Sequence, residues 1–214
     1  MKIKVYTSST SNREIRNTLK FYGHDVVISN HNNPDYILCY RSYKILSKEE
    51  IDNAKFGAIN FHTGPPEYPG RGSVNLALYH NKTKFCVTTH LMTEKIDSGP
   101  ILDVRFFDID IDDNVKSLWK KTEENMMTMF RDFSMGLHEP DYISMKLEQN
   151  NQYKWEGKAN KMKQIDDLQT IPLDCTKEEL DRIVRSTYTP EFRPKIIMHG
   201  YEFVMKEIED KNND

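Results

Sequence analysis

The 214-residue sequence predicts an α/β protein: a Rossmann-like, mainly parallel sheet with helices on both faces, plus a small C-terminal helix and β-hairpin. Three observations carry that expectation. Short runs rich in β-branched and aromatic residues alternate with segments whose apolar residues recur at helical spacing. The strand runs are largely apolar, as strands covered on both faces are. The alternation stops near residue 134, and regular structure is expected again only close to the end of the chain.

In chain order, KIKVYTS at 2–8 predicts a strand, and NREIRNTLKFY at 12–22 predicts a helix that Gly23 ends. HDVVIS at 24–29 and DYILCY at 35–40 have the pattern of buried strands. SKEEIDNA at 47–54 has the Ser-to-Glu spacing of a capped helix, and GAINFH at 57–62 is a further strand. Beyond the loop TGPPEYPGRG come a helix over 73–81 and strands over 84–92 (KFCVTTHLM) and 100–107 (PILDVRFF). A helix from about 114 to 133 places Val115, Leu118, Trp119, Met126, Met129, Phe130 and Phe133 on one buried face. The methionines at 126, 127 and 129 suit core packing better than soft-metal binding. From about 134, through EQNNQYKWEGKANKMKQ, the chain turns polar and is expected to form an ordered loop or linker over the surface. TKEELDRIVRS at 176–186 is a capped helix, PKIIMHGYEFVMKEI at 194–208 a hairpin about His199-Gly200, and the terminal EDKNND should fray.

Composition narrows the function classes. With 37% apolar and 29% charged residues, a mean hydropathy of −0.72 and no apolar run near spanning length, a soluble protein is expected, without membrane association. The start, MKIKVYTSST, enters a strand with no apolar signal segment, which points to the cytoplasm. Cys39, Cys86 and Cys175 form no CxxC pair and are expected to be reduced and buried, the first two in strands. A net charge of −3 offers no overall attraction to nucleic acid, and the seven histidines lack metal-ligand spacing. A dehydrogenase is disfavoured, because the first strand runs into TSSTSNREI without the glycines of a dinucleotide fingerprint.

The chemistry concentrates between Ala58 and Leu102. Asn60 and His62 are two apart on a strand and leave the same face near its carboxyl end, where a doubly wound sheet opens onto its ligand crevice. The loop that follows, with three prolines and three glycines, is built to hold a particular shape. MTEKIDSGPI then sets Asp97 in a turn just before Gly99 and Pro100. An Asn, a His and an Asp on adjoining loops can supply an oxyanion donor, a base and an orienter for that base, the minimum set for acyl transfer.

Asn60-Phe61-His62, the Pro/Gly-rich loop and the run Met92 to Leu102 together resemble the formyltransferase family, which includes methionyl-tRNA formyltransferases, glycinamide ribonucleotide transformylases and sugar N-formyltransferases. The form HTGPPEYPG, with CVTTH and IDSGPIL after it, is most similar to the enzymes that formylate amino sugars carried on dTDP. The resemblance implies N10-formyltetrahydrofolate as the donor, no metal, and Asn60, His62 and Asp97 as the catalytic set. It places the carrier's pterin against Tyr43, Lys44, Ile45 and Leu46 and against Met92, Thr93 and Ile96. Arg41, Lys44 and Arg71 are available cations for a nucleotide-sugar pyrophosphate, and Tyr68 is an aromatic that could pack on the sugar. It further implies an N-terminally shortened catalytic domain over 1–137, an appendage over 138–214, and a homodimer paired through the C-terminal hairpin. Two other readings remain open: a methionyl-tRNA formyltransferase and a non-catalytic folate-binding module.

Overall fold

The computed structural model describes residues 1–8, 10–27 and 33–206. Its centre is a six-stranded sheet of β1 (Lys2–Thr7), β2 (Asp25–Val27), β3 (Tyr36–Tyr40), β4 (Ala58–His62), β5 (Lys84–Leu91) and β6 (Ile101–Asp108). The spatial order is β2-β1-β3-β4-β5-β6. The β1–β2, β1–β3 and β3–β4 pairs are parallel, whereas β5 runs antiparallel to both neighbours. The expected mainly parallel sheet is therefore present, with β5 reversed at the site end. The expected strand over 24–29 is seen as β2, and its last two residues lie outside the described residues.

Among the described residues there are seven helices: α1 (Asn12–Phe21), α2 (Lys48–Asp52) and α3 (Ser73–Tyr79) lie between the sheet strands in sequence, and α4 (Val115–Gly136), α5 (Tyr142–Gln149), α6 (Met162–Leu168) and α7 (Lys177–Thr187) follow β6. Strand alternation divides the work between the two sheet faces. On β3 and β4, Leu38, Tyr40, Ile59 and Phe61 enter the main core with Ile15 and Leu19 of α1 and Met126, Met129, Phe130 and Phe133 of α4. Ile37, Cys39 and Ala58 face the other way and form a smaller cluster with Leu46 and Ala54 around α2. Asn60 and His62 belong to that second face, so the packing that fixes Ile59 and Phe61 also fixes the direction of the polar pair. Phe61 is the hinge of this arrangement, with its ring edge-on to Phe130 at 5.1 Å and Phe133 at 5.4 Å.

Local signals set the helix ends. Ser47 and Glu50 close the expected capping box on α2, and Asn114 receives the N–H groups of Lys116 and Ser117 to open α4. Residues 134–161 differ from the expected linker. The long helix α4 continues to Gly136, and α5 packs on the main core through Tyr142, with Lys146 paired to Asp103 of β6 at 2.8 Å. A short apolar edge, Tyr142, Ile143 and Leu147, is enough to dock this helix where sequence periodicity alone is weak. A further helix, α6, also lies in the region expected to be irregular. The hairpin forms as expected from β7 (Lys195–Met198) and β8 (Tyr201–Val204). Its turn residues His199 and Gly200 both have positive φ, 51° and 82°, the conformation a tight two-residue turn requires. The terminal EDKNND lies outside the described residues. No helix among the described residues is long and apolar enough to cross a membrane.

Because Phe130 of α4 is fully buried against Tyr40 of β3 and Phe61 of β4, Phe130→Ala should lower stability by about 3–5 kcal/mol. Urea unfolding followed by far-UV circular dichroism measures it. A loss under about 1 kcal/mol would mean that this cluster does not hold the sheet to α4.

Candidate active site

Asn60 and His62 leave β4 on the α2 side of the sheet, and antiparallel pairing with β5 sets His90 directly opposite Asn60. A register irregularity between Thr89 and His90 ends the regular β5–β6 ladder at this point. The chain then loops through Asp97, held at a positive φ of 41°. Gly99 lets the loop return, since a Cβ there would sit 1.9 Å from the Leu91 carbonyl oxygen. No side chain larger than hydrogen fits this crossing.

The result is a carboxylate surrounded by nitrogen. Gly70 N–H donates to Asp97 Oδ2 at 2.7 Å, and His62 Nδ1 lies 3.2 Å from the same oxygen. Asn60 Nδ2 donates to Oδ1 at 3.3 Å, and His90 Nε2 lies 3.2 Å from it. The Asn60 amide also faces His90 Nε2 at 3.1 Å. His90 Nδ1 lies 2.8 Å from the Leu91 carbonyl oxygen, which fixes the plane of the ring. His62 Nε2 lies 3.1 Å from the carbonyl oxygen of Tyr68. Both nitrogens of His62 thus face acceptors, a setting that only the protonated ring satisfies in full.

His62 and Asp97 are buried, 5% and 8% exposed, and burial acts on them in different balances. Burial lowers the His62 pKa below its ordinary 6.5, although the nearby Asp97 charge opposes the change. For Asp97, burial alone would raise the pKa. The His62 and His90 rings and the Gly70 N–H outweigh it and bring the value down to about 2. The resting site at neutral pH is therefore an ionised carboxylate beside a neutral His62 ring.

The sequence-predicted set Asn60, His62 and Asp97 is brought together. Two members of the site were missed. His90 sits inside CVTTH with nothing in its spacing to mark it, and its role rests on the pairing across β4 and β5. Trp155 comes from the segment expected to be a surface loop, and its indole lies edge-on to the His62 and His90 rings, with centroids 5.5 and 4.9 Å away.

The flanking residues are distributed more widely. Leu46 is buried in the cluster against which Met92 packs, so the loops after β3 and β5 meet there. Tyr43, Lys44, Ile45, Thr93 and Ile96 are exposed on those loops, with Lys44 paired to Glu50 at 3.0 Å and the Thr93 and Ser98 hydroxyls 2.7 Å apart. Arg71 is exposed and stacks its guanidinium over the Tyr43 ring at 4.8 Å, joining the Pro/Gly loop to the loop after β3. Arg41 is engaged elsewhere, paired with Glu123 and lying over Trp119 at 5.2 Å. Tyr68 is 6% exposed, and its ring packs with Val74, Leu78 and Phe85. Its hydroxyl lies 2.9 Å from His80 Nδ1, so the part of Tyr68 facing the site is its backbone carbonyl. A cleft of about 840 Å³ between the start of α4, α7 and Met205 contains none of the site residues. Among the described residues no His, Cys, Asp or Glu group is arranged to hold a metal ion.

Asp97 gives a stability prediction. A carboxyl whose pKa falls from 3.8 to about 2 on folding stabilises the fold above pH 3.8, and the contribution is lost as pH falls through about 2. Asp97→Asn should therefore cost about 2 kcal/mol at pH 7. The gap from wild type should narrow in urea unfolding as the pH is lowered toward that value. A gap that is absent at pH 7, or that does not change with pH, would show that the carboxylate charge is not held by its neighbours.

The methionyl-tRNA formyltransferase of Clostridium acetobutylicum is 28% identical over 142 residues, 60% of this chain and 46% of that protein. The chain thus spans less than half the length of this curated relative. Among solved structures, a sugar N-formyltransferase from Shewanella sp FDAARGOS_354 superposes with a TM-score of 0.74 at 16% identity, covering 97% of each chain. WlaRD, a sugar 3N-formyl transferase solved in the presence of dTDP and 5-N-formyl-THF, gives 0.63 at 18% identity, covering 93% of this chain and 82% of that one. The formyl transferase family pattern matches residues 6–132, a span that includes the end of β1, β2 to β6, the cluster around Asp97 and most of α4. The chain belongs to the formyltransferase family.

Proposed function

We propose that this enzyme moves a formyl group from N10-formyltetrahydrofolate to the amine of a nucleotide-linked (dTDP) 4-amino-4,6-dideoxy sugar. The observation that carries the reading is the buried cluster in which Asn60, His62 and His90 converge on Asp97. The amine attacks the formyl carbon, and His62 Nε2 takes its proton in place of the contact with the Tyr68 carbonyl. Asp97 stabilises the imidazolium that results. Charge gathers on the formyl oxygen, where Asn60 turns one amide N–H away from His90 or Asp97 to receive it, a contact worth about 3–4 kcal/mol in comparable sites. As the bond from carbon to N10 breaks, the imidazolium returns the proton to that nitrogen.

The donor's ring system has apolar surface available on the two loops that meet at Leu46 and Met92. Tyr43, Ile45 and Ile96 are 83%, 66% and 51% exposed there, which is costly to leave uncovered. Arg71, exposed on the Pro/Gly loop, supplies the cation for a pyrophosphate in this reading. The sugar acceptor is supported by the HTGPPEYPG form of the loop and by the net charge of −3, which disfavours tRNA. The reducing cytoplasm suits the free Cys39 and Cys86. A second reading, formylation of methionyl-tRNA, has the curated sequence relative in its favour.

A side-by-side assay of the amino sugar and initiator methionyl-tRNA decides the acceptor. Transfer to the sugar is expected, and preferential labelling of the tRNA would overturn it. In the productive assay His62→Ala should lose about 10²–10⁴-fold in rate. The acid limb of kcat/KM should lie below pH 6.5, because the base works only when neutral and burial lowers its pKa. A loss under about threefold, less than one hydrogen bond is worth, would remove His62 from the mechanism.

The enzyme pairs as a homodimer through the hairpin. Tyr201 and Phe203 are 72% and 53% exposed, with Met198 and Val204 exposed beside them, and a two-stranded hairpin carrying such surface is marginal alone. A two-fold contact would set Phe203 near its own copy. Light scattering at micromolar concentration should show a dimer for the wild type and a monomer for Phe203→Glu. A monomeric wild type ends this proposal, and a dimeric mutant moves the interface elsewhere.

A further inference from the structure

We infer that Trp155 is a positioning residue of the active site, whose indole closes the His62 and His90 imidazoles off from water. Three independent features hold it there. Its Nε1–H donates to the Gly99 carbonyl at 2.8 Å, so the polar edge of the ring is fixed on the turn that carries Asp97. Its ring stands edge-on to both imidazoles, at interplanar angles of 76° and 80°. The strap that bears it is tied to the Pro/Gly loop by backbone hydrogen bonds, from Glu156 N–H to Pro66, from Asn160 N–H to Pro69 and from Arg71 N–H to Asn160. At Gly70 the two segments are so close that a Cβ would lie 2.4 Å from the Asn160 carbonyl oxygen. The loop and the strap therefore form one cover, and Trp155 is its contact with the chemistry.

A cover of this kind serves two ends. It keeps the His62 environment dry, which disfavours the charged ring at rest and leaves the base ready to accept a proton. It also denies water the place of the amine. Water attacking the formyl carbon would break the bond to N10 and release formate and tetrahydrofolate, wasting the donor. Exposure is consistent with both: His90 is 2% exposed and His62 5%, whereas Asn60 and Trp155 are only partly buried. Asn60 thus marks the side from which substrate reaches the cluster.

The inference rests on the reading of His62 as the base, and its test is chosen to need no amine acceptor. The His62 Cε1–H resonance is titrated by NMR in the wild type, Trp155→Phe, Trp155→Ala and, as a second truncation should the alanine chain fail to fold, Trp155→Leu. Hydrolysis of N10-formyltetrahydrofolate without acceptor is followed in the same proteins. Truncation should raise the His62 midpoint toward 6.5, the ordinary value from which burial lowers it, and should speed hydrolysis about tenfold. Trp155→Phe, which keeps a ring over the imidazoles, should stay near wild type in both. An unmoved midpoint or an unchanged hydrolysis rate in a folded truncation overturns the inference. A wild type that binds no N10-formyltetrahydrofolate instead refutes the proposed donor, and the titration alone then decides the role of Trp155.

Discussion

The Asp97 carboxylate receives Gly70 N–H and faces side-chain nitrogens of Asn60, His62 and His90, all within 3.3 Å, at a position only 8% exposed. A charge so placed has little water to screen it and depends on these neighbours. Breaking such a buried arrangement on one side commonly costs about 3–5 kcal/mol. The demand runs both ways: the carboxylate needs its donors, and the donors are oriented by the carboxylate. β4 brings two parties to that meeting, and β5, the Pro/Gly loop and the turn before Gly99 bring one each, so the local folds of four segments are coupled through one side chain.

This coupling explains why the site is closed at rest. Both ring nitrogens of His62 and the amide nitrogen of Asn60 are occupied by groups of the protein, and reaction requires a substrate that replaces those partners one for one. Burial holds the His62 ring neutral at rest, and the adjacent Asp97 charge offsets part of the cost when the ring takes a proton.

Much of this was legible in the sequence, and the limits have physical causes. Alternation on GAINFH separates Ile59 and Phe61 from Asn60 and His62, because a strand buried on both faces still has a period of two. The helical stripe of α4 was visible for the same kind of reason. His90 was not, since its place depends on which residue of β5 stands opposite Asn60, a long-range register that spacing along the chain does not encode. Trp155 was hidden in a polar stretch whose backbone bonds run to a distant loop. α5 was missed because its docking surface is three apolar residues rather than a sustained stripe. For Tyr68, the sequence showed an aromatic in a substrate-side loop but not that the ring turns into the α3 and α4 packing and leaves its carbonyl to face His62.

The central claim is that His62 Nδ1–H is bound to a charged Asp97, and low-temperature proton NMR tests it most directly. An imidazole N–H held by a buried carboxylate gives a far-downfield resonance protected from exchange. The account predicts one such signal at neutral pH in the wild type, absent from both His62→Gln and Asp97→Asn. A signal that survives Asp97→Asn would mean that another group orients His62, and the carboxylate would lose its place at the centre of the site.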